Sequence, residues 1–319
     1  MTTTATITAA SFPTPDLAKR TADPGGLWRV AAFAERQADA AEALRVRLAA
    51  TWPGMTGRDE RMSALWTAHA ESVAWRYEFA VQAGRRLGQG IPFDATRFIT
   101  PLRDGGPNAD RLGYLGRLRD GADWDPASRT YQGGDSTPAH EVMLAYGQAA
   151  LDRMSRETPN DEVLLNTVRV GARGRLVPGN RLVRGAAARR IADNLVARVA
   201  ARGGDTSRME VGGDPLYVVT ADPDHADALF DIALTLLAAA PDLNGLERLR
   251  AWQDARYLLY QAPRMKKGSD AVTRVFLVAV GAVLFGRAPV LQQDVDLRCM
   301  VLGQAAATEM YGDTSLIAG

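Results

Sequence analysis

The chain has little of what most catalytic chemistry relies on: one cysteine, three histidines and three lysines among 319 residues. Cys299 alone excludes an internal disulfide and a cysteine-based zinc site. His69, His140 and His225 are scattered, so no metal site is expected, and each reads as a surface or capping residue of a helix. Long hydrophobic runs are absent too. The longest, Val275 to Phe285, is about half of the roughly 20 residues that span a bilayer, and Arg274 and Arg287 bracket it, which makes it a buried core helix. Met1 to Pro15 lacks the basic start and apolar core of an export signal, so residues 1–24 are expected to form a disordered tail. Net charge of one sign is also missing. With 38 Lys and Arg against 37 Asp and Glu, the chain carries +1 and has no overall pull toward nucleic acid or an acidic membrane. These absences point to a soluble protein of a reducing cytoplasm, with no membrane partner.

What is present is a 46% hydrophobic composition, enough for a sizeable core. Helical spacing of apolar residues predicts two long helices between Gly25 and about Gly88, then loop-rich structure to Pro138 around one short helix from Asn108 to Asp120. Thr137 as a cap, Pro138 in the first turn and Glu141 signal a helix to about Glu157. Leu164 to Arg184 reads as irregular with short strands, and Pro178-Gly179 offers a turn. A helix follows over Ala186 to Ala201, and Arg208 to Thr220 reads as a hairpin around Gly212-Gly213-Asp214. Helices are then expected over Pro223 to Ala239, Gly245 to Tyr260, Asp270 to Phe285 and Gln293 to Glu309. The fold class is mainly α with one small β element.

Two of the three lysines are adjacent. Lys266 and Lys267 stand in Gln261-Ala262-Pro263-Arg264-Met265-Lys266-Lys267-Gly268-Ser269-Asp270, between two apolar helices. Gly268 permits close backbone approach, Ser269 and Asp270 are good caps, and the start of the next helix adds N–H donors, so the loop predicts a phosphate site. Arg274, one turn into that helix, needs a carboxylate or a phosphate.

The order hairpin, helix, helix, glycine-bearing loop, apolar helix resembles the Fic/Doc (Fido) family. There a β-hairpin flap covers the target, and the loop His-Pro-Phe-x-Asp/Glu-Gly-Asn-Gly-Arg-x-x-Arg holds nucleotide phosphates. Pro263, Gly268 and Arg274 fall on the family's proline, first glycine and second arginine when the loop here is one residue longer. Ala262 replaces the histidine base, and Lys267 takes the place of the metal-binding carboxylate. The resemblance implies an N-terminal helical region over 25–160 and a Fic-like core over 161–319. It also implies a His-independent transferase that uses a phosphate-containing donor, a nucleotide or an activated metabolite, to modify a small molecule or a protein. Lys266, Lys267, Gly268, Ser269 and Arg274 would bind phosphate. Lys267 and Asp270 would act in catalysis, with no cofactor required and no Mg²⁺. Glu71, in Thr67-Ala-His-Ala-Glu-Ser72, is similar to the family's inhibitory glutamate and is the candidate regulator. The alternative is a catalytically inactive nucleotide-binding or partner-binding pseudoenzyme. A second alternative is RNA binding through Arg169 to Arg202, which holds nine arginines and a single carboxylate, Asp193.

Overall fold

A computed structural model describes residues 6–14, 24–82, 94–171 and 174–317. In chain order the elements are α1 (Pro24–Thr51), α2 (Arg58–Gln82), α3 (Leu102–Gly105), β1 (Ala109–Leu112), β2 (Asp123–Asp125), β3 (Thr130–Gln132) and α4 (Pro138–Glu157). There follow β4 (Val163–Val170), β5 (Arg175–Val183), α5 (Gly185–Ala200), β6 (Leu216–Val219), α6 (Pro223–Ala239), α7 (Gly245–Gln261), α8 (Ser269–Phe285), α9 (Val295–Val301) and α10 (Gln304–Thr308). The protein is mainly helical with a small antiparallel sheet, as the sequence predicts.

The core forms around α8. That helix is apolar on every side, and a helix of this kind must be wrapped. It packs against α1, α2 and α7, and Val275 to Ala282 are buried. The four-stranded sheet has the order β1-β6-β5-β4. Leu164, Leu182, Leu216 and Val218 on one face meet α4 and α9, while Val183, Tyr217 and Val219 on the other meet α5. Two core clusters draw residues from both sides of position 160, so the boundary expected there does not divide two cores.

Several expectations are corrected. The Arg208 to Thr220 hairpin is absent: only Leu216–Val219 is a strand, and it lies inside the sheet between β1 and β5. All four of its residues are buried, as a strand covered on both faces requires. Glu210 instead turns inward to accept the backbone N–H of Gly116, and Arg111 donates to the Glu210 and Gly212 carbonyls. Hairpins form instead from β4 and β5, in the stretch expected to be irregular, where Gly174 N donates to Gly171 O, and from the short β2 and β3. The helix expected from Asn108 to Asp120 is β1 followed by a short 3-10 turn. The helix expected over Gln293 to Glu309 is broken at Leu302-Gly303 into α9 and α10. Within the expected disordered tail, Ile7 and Phe12 are buried against the main core, and the rest of that tail lies largely outside the described residues.

Pro178-Gly179 is a bulge, not a turn. The register passes from Thr167 opposite Pro178 to Leu165 opposite Arg181, so Gly179 and Asn180 together face the single Asn166. Proline has no ladder N–H to donate and is tolerated at such a place. Asn166 Nδ2 reaches Asn180 Oδ1 at 3.0 Å, Tyr257 Oη at 2.8 Å and Gln261 Oε1 at 2.8 Å, and Asn166 Oδ1 accepts from Arg153 at 3.0 Å. The break after α9 serves the same cluster. Gln261, Asn180 and Arg153 donate to the carbonyls of Cys299, Met300 and Val301, which the end of a helix leaves without partners.

Gly179→Ala would place a methyl 2.6 Å from Gln261 Oε1 and 2.9 Å from the Asn166 carbonyl oxygen. Chemical denaturation is expected to register a loss of about 1–3 kcal/mol, the usual penalty for overpacking a rigid site. An unchanged midpoint would mean that the bulge can relax.

Candidate anion-binding site

The paired lysines line a cavity of about 230 Å³ that they share with Arg97, Arg198, Arg202, Asp110 and the Pro107–Ala109 backbone. Each wall has a local reason for its position. Arg97 lies in a 3-10 turn that Asp94 caps by accepting the Thr96 N–H at 2.9 Å. Leu195, Arg198 and Arg202 recur at the spacing of one helical face along α5 and the turn beyond it. Asp110 belongs to β1, where its residue pairs with Val218. The lysine loop is tied to the segment before β1: Lys266 N donates to Thr100 O at 3.0 Å, Leu102 N to Arg264 O at 2.8 Å, and Asn108 Nδ2 to Lys266 O at 3.3 Å.

Lys266 is only 7% exposed. Its Nζ donates to the Gly106 carbonyl at 2.8 Å and approaches that of Pro107 at 3.3 Å, which leaves one of its three protons for the cavity. Burial and then the Arg198, Arg97 and Arg202 guanidiniums lower its pKa to about 8, with Asp110 opposing. Arg97 is lowered in the same way, first by burial and then by Arg202. Lys267 Nζ lies 5.5 Å from the centre of the Phe98 ring. The guanidiniums of Arg97 and Arg202 make no hydrogen bond or salt bridge to any described residue. The carboxylate of Asp110 makes none either, although it is the one acid among the described residues that line the cavity with five cations. Desolvation by the surrounding walls raises the Asp110 pKa, but its side chain reaches solvent. The neighbouring Lys266, Arg117 and Arg97 pull the pKa the other way, by less.

Of the residues expected in the site, only Lys266 and Lys267 line this cavity. Gly268 adopts φ +78°, and a Cβ there would lie 2.6 Å from the Phe98 ring, so the glycine serves the loop's passage over Phe98. Ser269 does not cap α8; its hydroxyl donates to the Met265 carbonyl at 3.2 Å. Arg274, 1% exposed, is held by protein at all three nitrogens: Nε bonds Asp270 at 2.8 Å, and the Nη atoms donate to the Gln292 and Gln293 carbonyls. Asp270 also accepts from Tyr260 Oη at 3.0 Å and is held in this cluster, away from the cationic walls. Glu71 bonds Arg47 of α1 at 2.6 Å. His69 is not at the surface but buried edge-on to Phe230 and Phe276, where burial lowers its pKa to about 3 and keeps the ring neutral.

Arg97, Asp110, Arg198 and Arg202 were not among the expected site residues. Arg198 and Arg202 belonged to the noted arginine-rich stretch, and their four-residue spacing was the available signal. Arg97 and Asp110 carried none. Elsewhere in that stretch Arg181 pairs with Asp222, Arg189 with Asp214, and Arg184 donates to carbonyls of 158–161. Among the described residues no group of His, Cys, Asp or Glu could hold a metal ion, and no helix is long and apolar enough to cross a membrane. No protein-family model matches the chain, and no curated protein matches it.

Beside Arg274, Asp296 is pushed well above the ordinary carboxylate range, first by burial and then by the neighbouring Asp270 carboxylate. A raised folded pKa means that the native state holds a proton the unfolded chain has already released. Its stabilising effect is therefore present at low pH and fades as pH rises through the folded pKa. Asp296→Asn is expected to raise the urea midpoint at pH 8 and to leave it nearly unchanged at pH 4. A larger gain at pH 4 would contradict this account of the cluster.

Proposed function

We propose that the protein binds a phosphate-bearing small molecule in the cavity walled by Arg97, Arg198, Arg202, Lys266 and Lys267. The observation that carries this reading is the pair of guanidiniums, Arg97 and Arg202, that bond no described residue, in a pocket where Asp110 is the one acid among the described lining residues and Asp94 opposes the positive charge from nearby. Holding five cations together costs electrostatic free energy, which a bound polyanion would offset. Lysine and arginine need no metal to neutralise phosphate oxygens, so binding is expected without Mg²⁺.

Binding stands ahead of transfer. The Fic-like transferase reading, with a nucleotide or activated metabolite as donor and a small molecule or protein as acceptor, relies on Asp270 as proton acceptor and Arg274 as phosphate ligand. Both are engaged with each other, which favours the reading as a binding protein without that chemistry. A cytoplasmic setting agrees with the single buried thiol. RNA binding is the weaker reading, because carboxylates and carbonyls dispersed over the surface take up several arginines of Arg169 to Arg202.

Calorimetry with phosphate, pyrophosphate and ATP, with and without Mg²⁺, tests the proposal. Binding is expected in the absence of metal, and Arg202→Ala and Lys267→Ala should each weaken it by about 1–3 kcal/mol. Because Lys266 loses its proton near pH 8, affinity should fall as pH rises from 7 to 9, while Lys266→Met should bind more weakly and without that dependence. No binding by any of the three anions would overturn the reading.

A further inference from the structure

Asp110 is out of place in a simple phosphate site. A carboxylate on the wall repels the anion that the other walls attract, and with five cations around the same cavity it would be expected to pair with one of them. It pairs with none, and both of its oxygens remain available as acceptors. The cavity, at about 230 Å³, is also smaller than the roughly 300–1,000 Å³ of sites that enclose drug-sized ligands.

Building on the proposed phosphate site, we infer that its ligand is a small hydroxylated phosphate ester of sugar-phosphate type, with the phosphate held by Arg97, Arg202 and the lysines and neighbouring hydroxyls donating to Asp110. A carboxylate has two oxygens in one plane and accepts from two adjacent hydroxyls, and such charge-assisted bonds are the strong ones. An ammonium group would also suit a carboxylate taken alone. Here it would have to enter among five cations, whereas a hydroxyl carries no charge for them to repel. A nucleotide would place its phosphates among the cations but leave its base outside a cavity of this size. Asp110 thus selects against bare phosphate and for an ester that brings its own donors.

The two roles of Asp110 predict effects of opposite sign. Calorimetry at pH 7.5 would compare inorganic phosphate, methyl phosphate, glycerol 3-phosphate, glucose 6-phosphate and O-phosphoethanolamine on the wild-type chain and on Asp110→Ala. Wild type is expected to bind the hydroxylated esters about tenfold to a hundredfold more tightly than methyl phosphate. Asp110→Ala should bind inorganic and methyl phosphate several-fold more tightly, and the hydroxylated esters at least about tenfold more weakly. Circular dichroism and the denaturation midpoint would verify that the variant is folded, and Asp110→Asn, which keeps one acceptor oxygen, should fall between the two. Equal tightening of every ligand by Asp110→Ala, or tighter binding of O-phosphoethanolamine than of glycerol 3-phosphate, would overturn the inference and leave the phosphate site intact. Failure of all five ligands to bind would remove the phosphate site itself.

Discussion

The buried amide of Asn166 is the constraint on which the rest of the structure depends. One side chain bonds β5 through Asn180, α7 through Tyr257 and Gln261, and α4 through Arg153. Its partners in turn close the end of α9. The side chains of this cluster are buried, so a missing member would leave its neighbours unsatisfied where water cannot replace it, and the arrangement is close to all-or-none. The bulge at Gly179 and Asn180 exists because this cluster needs two residues of β5 facing one residue of β4.

The same constraint reaches the candidate site through Gln261, the last residue of α7. With that residue fixed against the sheet and α9, the following loop leaves the core at a defined point. Its three cations then meet three environments. Arg264 stacks over Trp66 and Phe230 and pairs with Asp227. Lys266 is drawn inward to two carbonyls, and Lys267 lies beside Phe98 at the cavity. Neighbouring charges in one short loop thus have unlike roles, set by which wall each one faces.

Two charged clusters flank α8 and illustrate opposite solutions to burying arginine. Arg274 has Asp270, Asp296 and two carbonyls around it, and each of its three nitrogens donates to protein. Arg97 and Arg202 make no hydrogen bond or ion pair to a described residue; the Asp94 and Asp110 carboxylates act on Arg97 from a distance, and Arg202 and Arg198 crowd it with like charge. Stability explains the first cluster.

The sequence by itself determined the helices with strong signals: α4 from its Thr137 cap and Pro138, α6 and α7 from their apolar spacing, and α8 from an apolar run too short for a bilayer. It also singled out Lys266 and Lys267, because a rare residue type repeated before a glycine is visible without a fold. Strands were less legible. Leu216–Val219 reads locally as part of a hairpin, whereas its partners, β1 and β5, come from distant segments, and pairing of that kind leaves no mark in a local pattern. The residues completing the cavity were hidden for the same reason. Arg97, Asp110 and Arg202 are ordinary surface residues until a 3-10 turn, an edge strand and the end of α5 bring them together. Which arginines are satisfied and which are not depends on distances between remote parts of the chain, and only the tertiary structure decided that Arg274 is a buried strut while Arg97 and Arg202 bond no described residue.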